Sequence, residues 1–412
     1  MNKKISALIA DEHGNIFDTP NFEAVGRVGQ KFFKLKPENL IKLPESADLM
    51  FLPQRTAIGF SRGEFLPLNG RAVSAILPQG YTRTHLPAYK MNSRAKILPL
   101  YGYTAVALYK NEIYAAALYT DENFKWNPQN YNTPNLKKLI RRVKNDLQGN
   151  RIVEQVAKCS LEWHCLTAQN LFYRRWECGV PTSPVCNANC RGCISLQPSE
   201  CCPSPQNRIN FVPTVDEIAN LGIYHLSHAE DAIISFGQGC EGEPSLQAEN
   251  ISLAIKKIRE KTSRGQININ TNAGFTSGIK KIVDAGLNSM RVSIISADDE
   301  NYQKYYRAGY KLDDVKASIS YALAKNVHVS LNMLYMPGFN DRESEFAAWK
   351  NFLAKFPVQM IQIRNLNYDP DEFFRIMPKS DENFIGTKNF LQKLKNFSPT
   401  LTIGNFSHFL RN

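Results

Sequence analysis

Three cysteines are spaced so that one short loop could hold an iron–sulfur cluster. Cys186, Cys190 and Cys193 are separated by three and two residues in the run Val-Cys-Asn-Ala-Asn-Cys-Arg-Gly-Cys. A cubane cluster has four irons, so three thiolates leave one iron with an open coordination position, as a catalytic metal site requires. The same spacing also suits a zinc knuckle in which Cys201 or Cys202 supplies the fourth thiolate. The cysteines by themselves leave both metals open.

Glycine and short polar residues accompany the predicted strands that follow this loop. Gly242 and Glu243 lie in a glycine-rich run after the second strand, where the lack of side chains lets backbone groups approach a ligand. Asn272 closes the third strand, Ser293 lies on the fourth, and Asn332 is a polar residue within the fifth. Taken singly, Asn272 and Ser293 are each better explained as strand-end caps.

In this order, the cysteine loop, the Gly-Glu-Pro run and the polar strand ends resemble the radical S-adenosylmethionine (radical SAM) enzymes. The fifth predicted strand is followed by Met-Pro-Gly-Phe-Asn-Asp at 336–341, which is similar to an ending found in many members. The resemblance spans residues 180–370. It implies a partial (βα)6 barrel of the TIM-like type, a 4Fe-4S cluster on the three cysteines, and S-adenosyl-L-methionine as cofactor.

The resemblance also implies roles for individual residues. Gly242 and Glu243 match the segment that receives the methionine ammonium of the cofactor, and the positions similar to nucleoside contacts are Asn272, Ser293 and Asn332. Glu241 departs from the pattern, because many members have glycine there, so the backbone path at this point is left to the structure. A one-electron reductant such as flavodoxin or ferredoxin is the implied partner.

Two narrower resemblances concern subgroups of the family. The segment 193–198 and the run Gly-Gln-Gly-Cys-Glu-Gly-Glu-Pro are similar to an incompletely described group from anaerobes, which names no substrate. The Gly-Glu-Pro segment also resembles RNA-modifying members that use a cysteine well after the barrel. No cysteine follows Cys240 in this sequence, so a methyl-cysteine mechanism is not expected unless Cys201 or Cys202 substitutes.

The order and spacing of the apolar runs predict an α/β protein with four regions. They are a β-rich N-terminal accessory domain at 1–130, a helical connector at 131–177, the partial barrel at 178–378 and a C-terminal extension at 379–412. The barrel strands are predicted at 179–183, 232–236, 267–270, 289–295, 327–334 and 360–366. Strands alternating with helices imply a parallel sheet, with functional residues at the carboxyl ends of its strands.

Polar residues end the sixth predicted strand. Arg364, Asn365 and Asn367 offer a cation and two amides that could hold anionic or amide groups of a substrate. A salt-bridged loop explains the same residues equally well. No catalytic side chain is assigned.

Composition limits the class of protein. The chain has 412 residues, 43% of them hydrophobic, with no apolar run long enough to span a membrane. Nine cysteines, mostly clustered, indicate a reducing compartment, and we expect a cytoplasmic protein. Residues 1–150 carry 21 Lys and Arg against 12 Asp and Glu, so most of the net charge of +12 lies there. Such a surface could meet phosphates, or simply be solvated.

We therefore expect reductive cleavage of S-adenosylmethionine to a 5′-deoxyadenosyl radical that abstracts hydrogen from a substrate. The leading substrate hypothesis is RNA or another phosphate-rich molecule. The alternatives are a peptide- or protein-modifying radical SAM enzyme and a non-enzymatic zinc-knuckle protein that binds nucleic acid. An auxiliary cluster on Cys159, Cys165, Cys178, Cys201 and Cys202 stays open. Six residues apart on one helix, Cys159 and Cys165 would point about 120° apart, which disfavours joint ligation.

Overall fold

The computed structural model describes residues 4–122, 124–197 and 204–411. The chain divides into two compact units. One contains Met1–Asn123, Leu334–Asn351 and Ile363–Phe406, and the other contains Phe124–Met333, Phe352–Gln362 and Ser407–Asn412. An antiparallel sheet and a parallel, partial-barrel sheet make up the strands, so the predicted fold class is confirmed.

The antiparallel sheet is built from the first part of the chain, in the order β3-β2-β5-β6-β1-β10-β11-β4, with β7, β8 and β9 pairing to β11, β2 and β5. The strands are β1 Ser6–Ala10, β2 Ile16–Val28, β3 Lys31–Lys34, β4 Leu40–Lys42, β5 Asp48–Ser61, β6 Glu64–Ile76, β7 Tyr81–Arg83, β8 Leu86–Pro87, β9 Tyr89–Met91, β10 Tyr103–Tyr109 and β11 Glu112–Tyr119. Its core includes Leu52, Leu68 and Tyr103. Lys110 and Asn111, both at positive φ, turn the β10–β11 hairpin.

The parallel sheet carries the predicted barrel strands and one more, in the order β12 to β18. The strands are β12 Arg175–Gly179, β13 Glu230–Phe236, β14 Gln266–Thr271, β15 Ser289–Ile294, β16 His328–Tyr335, β17 Met360–Asn365 and β18 Thr402–Gly404. The first strand was predicted at 179–183 but lies at Arg175–Gly179, so the prediction was wrong except at Gly179. Its expected last residues, Thr182 and Ser183, donate their backbone N–H groups to a buried carboxylate instead of to a neighbouring strand.

Helices alternate with these strands as the apolar spacing predicts, and bury apolar faces such as Ile218, Ile255 and Ile282. The helices are α1 Leu136–Asp146, α2 Arg151–Glu162, α3 Leu166–Tyr173, α4 Val215–His228, α5 Ala248–Lys261, α6 Thr276–Asp284, α7 Asp299–Tyr306, α8 Leu312–Ala324, α9 Glu343–Lys355, α10 Pro370–Ile376 and α11 Thr387–Phe397. Among the described residues, none of them is long and apolar enough to cross a membrane.

Three arginines of the basic N-terminal part are buried. Arg27 pairs with Asp371 at 2.6 Å, and Arg55 pairs with Asp369 at 2.9 Å, with both side chains of the second pair 1% exposed. Arg83 donates to three backbone carbonyls at 2.8–3.4 Å, and burial lowers its pKa to about 9. These three arginines are paired or hydrogen-bonded inside their own compact unit. They therefore do not form a surface for a phosphate-rich partner.

Candidate active site

The cysteine loop follows β12, and the end of α7 holds its backbone. The N–H groups of Asn189 and Arg191 donate to the carbonyl oxygens of Tyr306 and Tyr305 at 3.1 and 3.0 Å. Carbonyl groups at a helix C-terminus lack intrahelical partners, so they can accept from a neighbouring loop. The loop therefore has a defined path between two elements of the same unit.

Tyrosine rings gather around the middle cysteine. The ring of Tyr302 lies 4.4 Å from that of Tyr306 and 6.4 Å from that of Tyr310, and the rings of Tyr305 and Tyr306 are 5.0 Å apart, measured between centroids. Burial raises the pKa of Cys190 well above its ordinary value. Aromatic rings of this size exclude water, which a reactive radical would require of its site.

The three thiols lie near one another. Burial raises the pKa of Cys186 to about 11, and the thiols of Cys186 and Cys193 add to the raised pKa of Cys190. In the described part of the chain, no group of three or more His, Cys, Asp or Glu side chains forms a preformed metal site, these thiols included. A bound metal lowers thiol pKa values, so the cluster ligands would ionise as the metal arrives.

An arginine that sequence reasoning missed lies beside the third thiol. Arg208 Nη2 is 3.8 Å from Cys193 Sγ, and Arg208 Nε donates to Ser195 Oγ at 3.2 Å. Arg208 follows the loop by fifteen residues in a segment without a motif, so only its position in space reveals the contact.

Glu241, the residue that departs from the family pattern, is a buried connection between two loops. Its Oε2 accepts from Thr182 N and Ser183 N at 2.7 and 2.9 Å and from the Thr182 hydroxyl, while Oε1 accepts from Gly237 N and Gln238 N at 2.7 and 2.8 Å. Burial raises the pKa of this carboxyl to about 7, although the donors around it act in the opposite direction. One side chain thus joins the approach to the cysteine loop to the turn after β13.

Gly242 has no room for a side chain. A Cβ at this position would lie 2.0 Å from the carbonyl oxygen of Val185 and 3.1 Å from Cys186 N. The Gly242 N–H also donates to Ser183 O at 2.7 Å, and Glu243 N donates to Val185 O at 2.8 Å. The glycine-rich run is therefore packed directly against the start of the cysteine loop.

The two residues predicted to bind the methionine and the nucleoside ends of the cofactor also hold the site together. Glu243 accepts from Ser245 N, from the Thr271 hydroxyl and from Asn272 N, and burial raises its pKa. Asn272 Nδ2 donates to Asn187 Oδ1 at 2.7 Å and lies 4.0 Å from Cys186 Sγ. The end of β14 is thereby connected to both the Gly-Glu-Pro run and the cysteine loop.

Ser293 and Asn332 face each other across neighbouring strands. Asn332 Nδ2 donates to Ser293 Oγ at a long 3.5 Å. Asn332 Oδ1 is buried and has no hydrogen-bond partner among the described residues. A buried amide oxygen without a donor is costly, and a ligand hydroxyl would satisfy it.

The residues predicted to bind substrate belong to the other compact unit. Arg364 donates to Asn405 O at 2.6 Å, and Asn365 accepts from Arg83 N and donates to Tyr81 O, each at 3.0 Å. Asn367 is exposed. Arg364 and Asn365 are thus hydrogen-bonded to other groups of the protein, which favours a structural role for both. Asn367 is open to solvent.

The remaining described thiols are placed differently from the sequence expectation. Cys159 lies in α2, whereas Cys165 is the cap residue of α3, so the two are not on one helix. Cys159 instead contacts Cys240, and Cys178 is fully buried in β12. Cys201 and Cys202 lie outside the described residues. The auxiliary cluster therefore stays untested.

The match to a known protein family covers the region that contains the cysteine loop. Residues 180–349 match the Radical SAM superfamily. A GTP 3′,8-cyclase from Desulforamulus reducens is 27% identical over 232 residues, which are 54% of this chain and 61% of that protein. A GTP 3′,8-cyclase from Corynebacterium glutamicum is 27% identical over 194 residues, 44% of this chain and 48% of that protein. The chain thus matches about half to three fifths of these relatives.

Among solved structures, methylornithine synthase is similar with a TM-score of 0.38 and 16% identity, over 65% of this chain and 77% of that one.

Proposed function

We propose that this chain, which matches the Radical SAM superfamily over residues 180–349, is a radical SAM enzyme that binds a 4Fe-4S cluster on Cys186, Cys190 and Cys193. The observation that carries the proposal is that the Gly-Glu-Pro run and Asn272 both contact the loop bearing these thiols. When bound, the cluster would supply one electron for reductive cleavage of S-adenosylmethionine to methionine and a 5′-deoxyadenosyl radical.

In this proposal the residues of the protein bind and orient the cofactor and shield the site from water and oxygen. The Gly-Glu-Pro run, which packs against the start of the cysteine loop, would lie beside the methionine part of the cofactor, and Asn332 Oδ1 is an acceptor without a partner that a ribose hydroxyl could fill. The tyrosine rings beside Cys190 exclude water and oxygen from that side of the loop. An external one-electron donor of the flavodoxin or ferredoxin kind would complete the reaction.

The test is anaerobic reconstitution with iron and sulfide, followed by S-adenosylmethionine and dithionite. We expect about four irons per chain and release of 5′-deoxyadenosine. Alanine at Cys186, Cys190 or Cys193 should abolish both, while Cys165→Ala is the matched control and should retain both. A colourless zinc protein would favour the zinc-knuckle alternative, and an iron-loaded sample that forms no 5′-deoxyadenosine would overturn the proposal.

The substrate we propose is RNA or another phosphate-rich molecule, which would dock on α1. This helix buries Leu136, Ile140 and Val143 and exposes a basic face made of Lys137, Lys138, Arg141 and Arg142. None of these four cations has an ion-pair partner within the described ranges. The two curated relatives are GTP 3′,8-cyclases. GTP carries phosphate groups, which is consistent with such a substrate.

Binding of single-stranded RNA at increasing salt tests this surface. Replacing the four cations of α1 by glutamine should weaken binding and make its logarithmic salt slope shallower by up to about 3, at about 0.7 per lost phosphate contact. Lys256→Gln with Lys261→Gln, on the exposed side of α5, is the matched control. RNA binding that changes neither with salt nor in the fourfold variant would refute RNA docking and favour the peptide-modifying alternative.

A further inference from the structure

A cavity of about 600 Å³ lies within the unit that contains the antiparallel sheet. Its walls come from β2, β3, β11, the segment between β7 and β8, and the beginning of α11. Small-molecule sites typically have volumes of about 300–1,000 Å³. No residue of the cysteine loop and no predicted cofactor contact lines this cavity, so it is not part of the proposed radical site.

The beginning of α11 supplies unpaired backbone donors to the cavity. The cap residue Gly386, at φ +80°, has no side chain to accept from the first turn, and the first intrahelical bond is from Phe390 N to Gly386 O. The N–H groups of Thr387, Lys388 and Asn389 have no acceptor among the described residues. These donors and the positive end of an eleven-residue helix favour an anion.

A buried histidine is a second, independent polar group in the cavity wall. His85 is 9% exposed and lines the cavity. Its Nδ1 is 2.9 Å from Thr84 Oγ1, whereas Nε2 has no partner in the described part of the chain. Burial lowers the pKa of His85 to about 4, so the ring is neutral at pH 7. In the tautomer in which Nδ1 accepts from the Thr84 hydroxyl, Nε2 carries the proton and can donate to a ligand.

The remaining lining combines positive charge with apolar surface. Lys31 and Lys388 oppose one carboxylate, Glu38, so the charged lining residues sum to one positive charge. Phe33 and Phe384 supply aromatic surface, and the Lys31 ammonium lies 5.6 Å from the Phe384 ring centroid. An inorganic ion would leave most of this volume and all of this apolar surface unused.

We propose that the cavity binds an organic anion, with a carboxylate or phosphate group and an aromatic or aliphatic body. The anionic group would lie at the first turn of α11, near Lys388 and the His85 ring. The body would pack on Phe33 and Phe384. The proposal is independent of the radical chemistry, because it concerns other residues and a binding equilibrium.

Calorimetric titration of the full chain with phenyl phosphate and with benzoate tests the proposal, and benzyl alcohol is the neutral analogue. We expect at least one of the two anions to bind about tenfold or more tightly than benzyl alcohol, and the better of them identifies the preferred anionic group. Inorganic phosphate should bind more weakly than phenyl phosphate, because it lacks the apolar body. Equal binding of anions and alcohol would overturn the proposal.

Variants locate the binding. Lys388→Gln and Lys31→Gln should each weaken binding of the preferred anion about threefold to tenfold, whereas Phe33→Ala should weaken the anion and benzyl alcohol alike. Lys395→Gln, an exposed cation in the last turn of the same helix, is the matched control. Anion binding that is unchanged in both the Lys388 and the Lys31 variants would place the anion elsewhere and refute the assignment.

Discussion

Replacing Glu241 by glutamine should loosen the connection between the two loops that it joins. The carboxylate accepts two backbone N–H groups at each oxygen. An amide has one oxygen, so its NH2 group must face two N–H donors. A buried donor left without an acceptor costs about 1–3 kcal/mol. Two such donors, less the relief from no longer burying a charge, give a net local destabilisation of about 2–4 kcal/mol.

Hydrogen exchange of the peptides covering 180–186 and 236–242 measures this directly. Since about 1.4 kcal/mol corresponds to a factor of ten, protection of the four amides should fall about 30- to 700-fold. The cluster should also be lost more readily, because Gly242 and the start of the cysteine loop pack beside this connection. Glu230→Gln, an exposed carboxylate at the beginning of β13, is the control and should change nothing.

The pH dependence gives a second readout of the same residue. The pKa of Glu241 is raised from an ordinary 4.5 to about 7 by burial, so between these values the folded protein binds more protons than the unfolded chain. The contribution of Glu241 to stability should therefore fall as pH rises from 4.5 to 7, and Glu241→Gln should remove this contribution from the pH slope measured for the wild-type protein. Unchanged protection in Glu241→Gln, together with an unchanged pH slope, would refute the reasoning.

Three further predictions concern packing and charge. Gly242→Ala places a Cβ 2.0 Å from the Val185 carbonyl oxygen, so the variant should lose bound iron on reconstitution while keeping its far-ultraviolet circular dichroism; full iron retention would contradict the packing. Asp369→Ala leaves the buried Arg55 charge unpaired and should cost about 3–5 kcal/mol in urea denaturation, whereas an unchanged midpoint would argue against a buried pair. The pKa of Glu217 is lowered to about 2 by its arginine partner, so its stabilising contribution should be complete above pH 4.5 and lost as pH falls towards 2; denaturation midpoints that respond equally in Glu217→Gln would contradict this.

The sequence predicted the resemblance to radical SAM enzymes and the general architecture. The cysteine spacing, the Gly-Glu-Pro run and the alternation of strands and helices are local patterns, and each follows from residues close together in the chain. The strands at 232–236, 267–270 and 289–295 were placed within two residues at each end, because buried parallel strands have near-continuous apolar runs.

Contacts between distant residues could not be predicted in this way. Glu241 looked like a departure from a glycine pattern, and only the approach of Thr182 and Ser183 shows that a carboxylate fills that space. Arg208 reaches Cys193 from a segment without a motif. Arg55 and Arg83 counted as surface charge in the composition but are buried, and each has a partner more than 200 residues away, Asp369 and the Leu366 carbonyl.

The amino-acid sequence by itself therefore predicted a cluster site at three cysteines and the order in which the strands follow it. Only the tertiary structure decided which polar groups are used internally and which, like Asn332 Oδ1 and the first N–H groups of α11, have no partner among the described residues. The physical reason is that hydrogen-bond satisfaction depends on three-dimensional neighbours, whereas spacing and periodicity are properties of the chain.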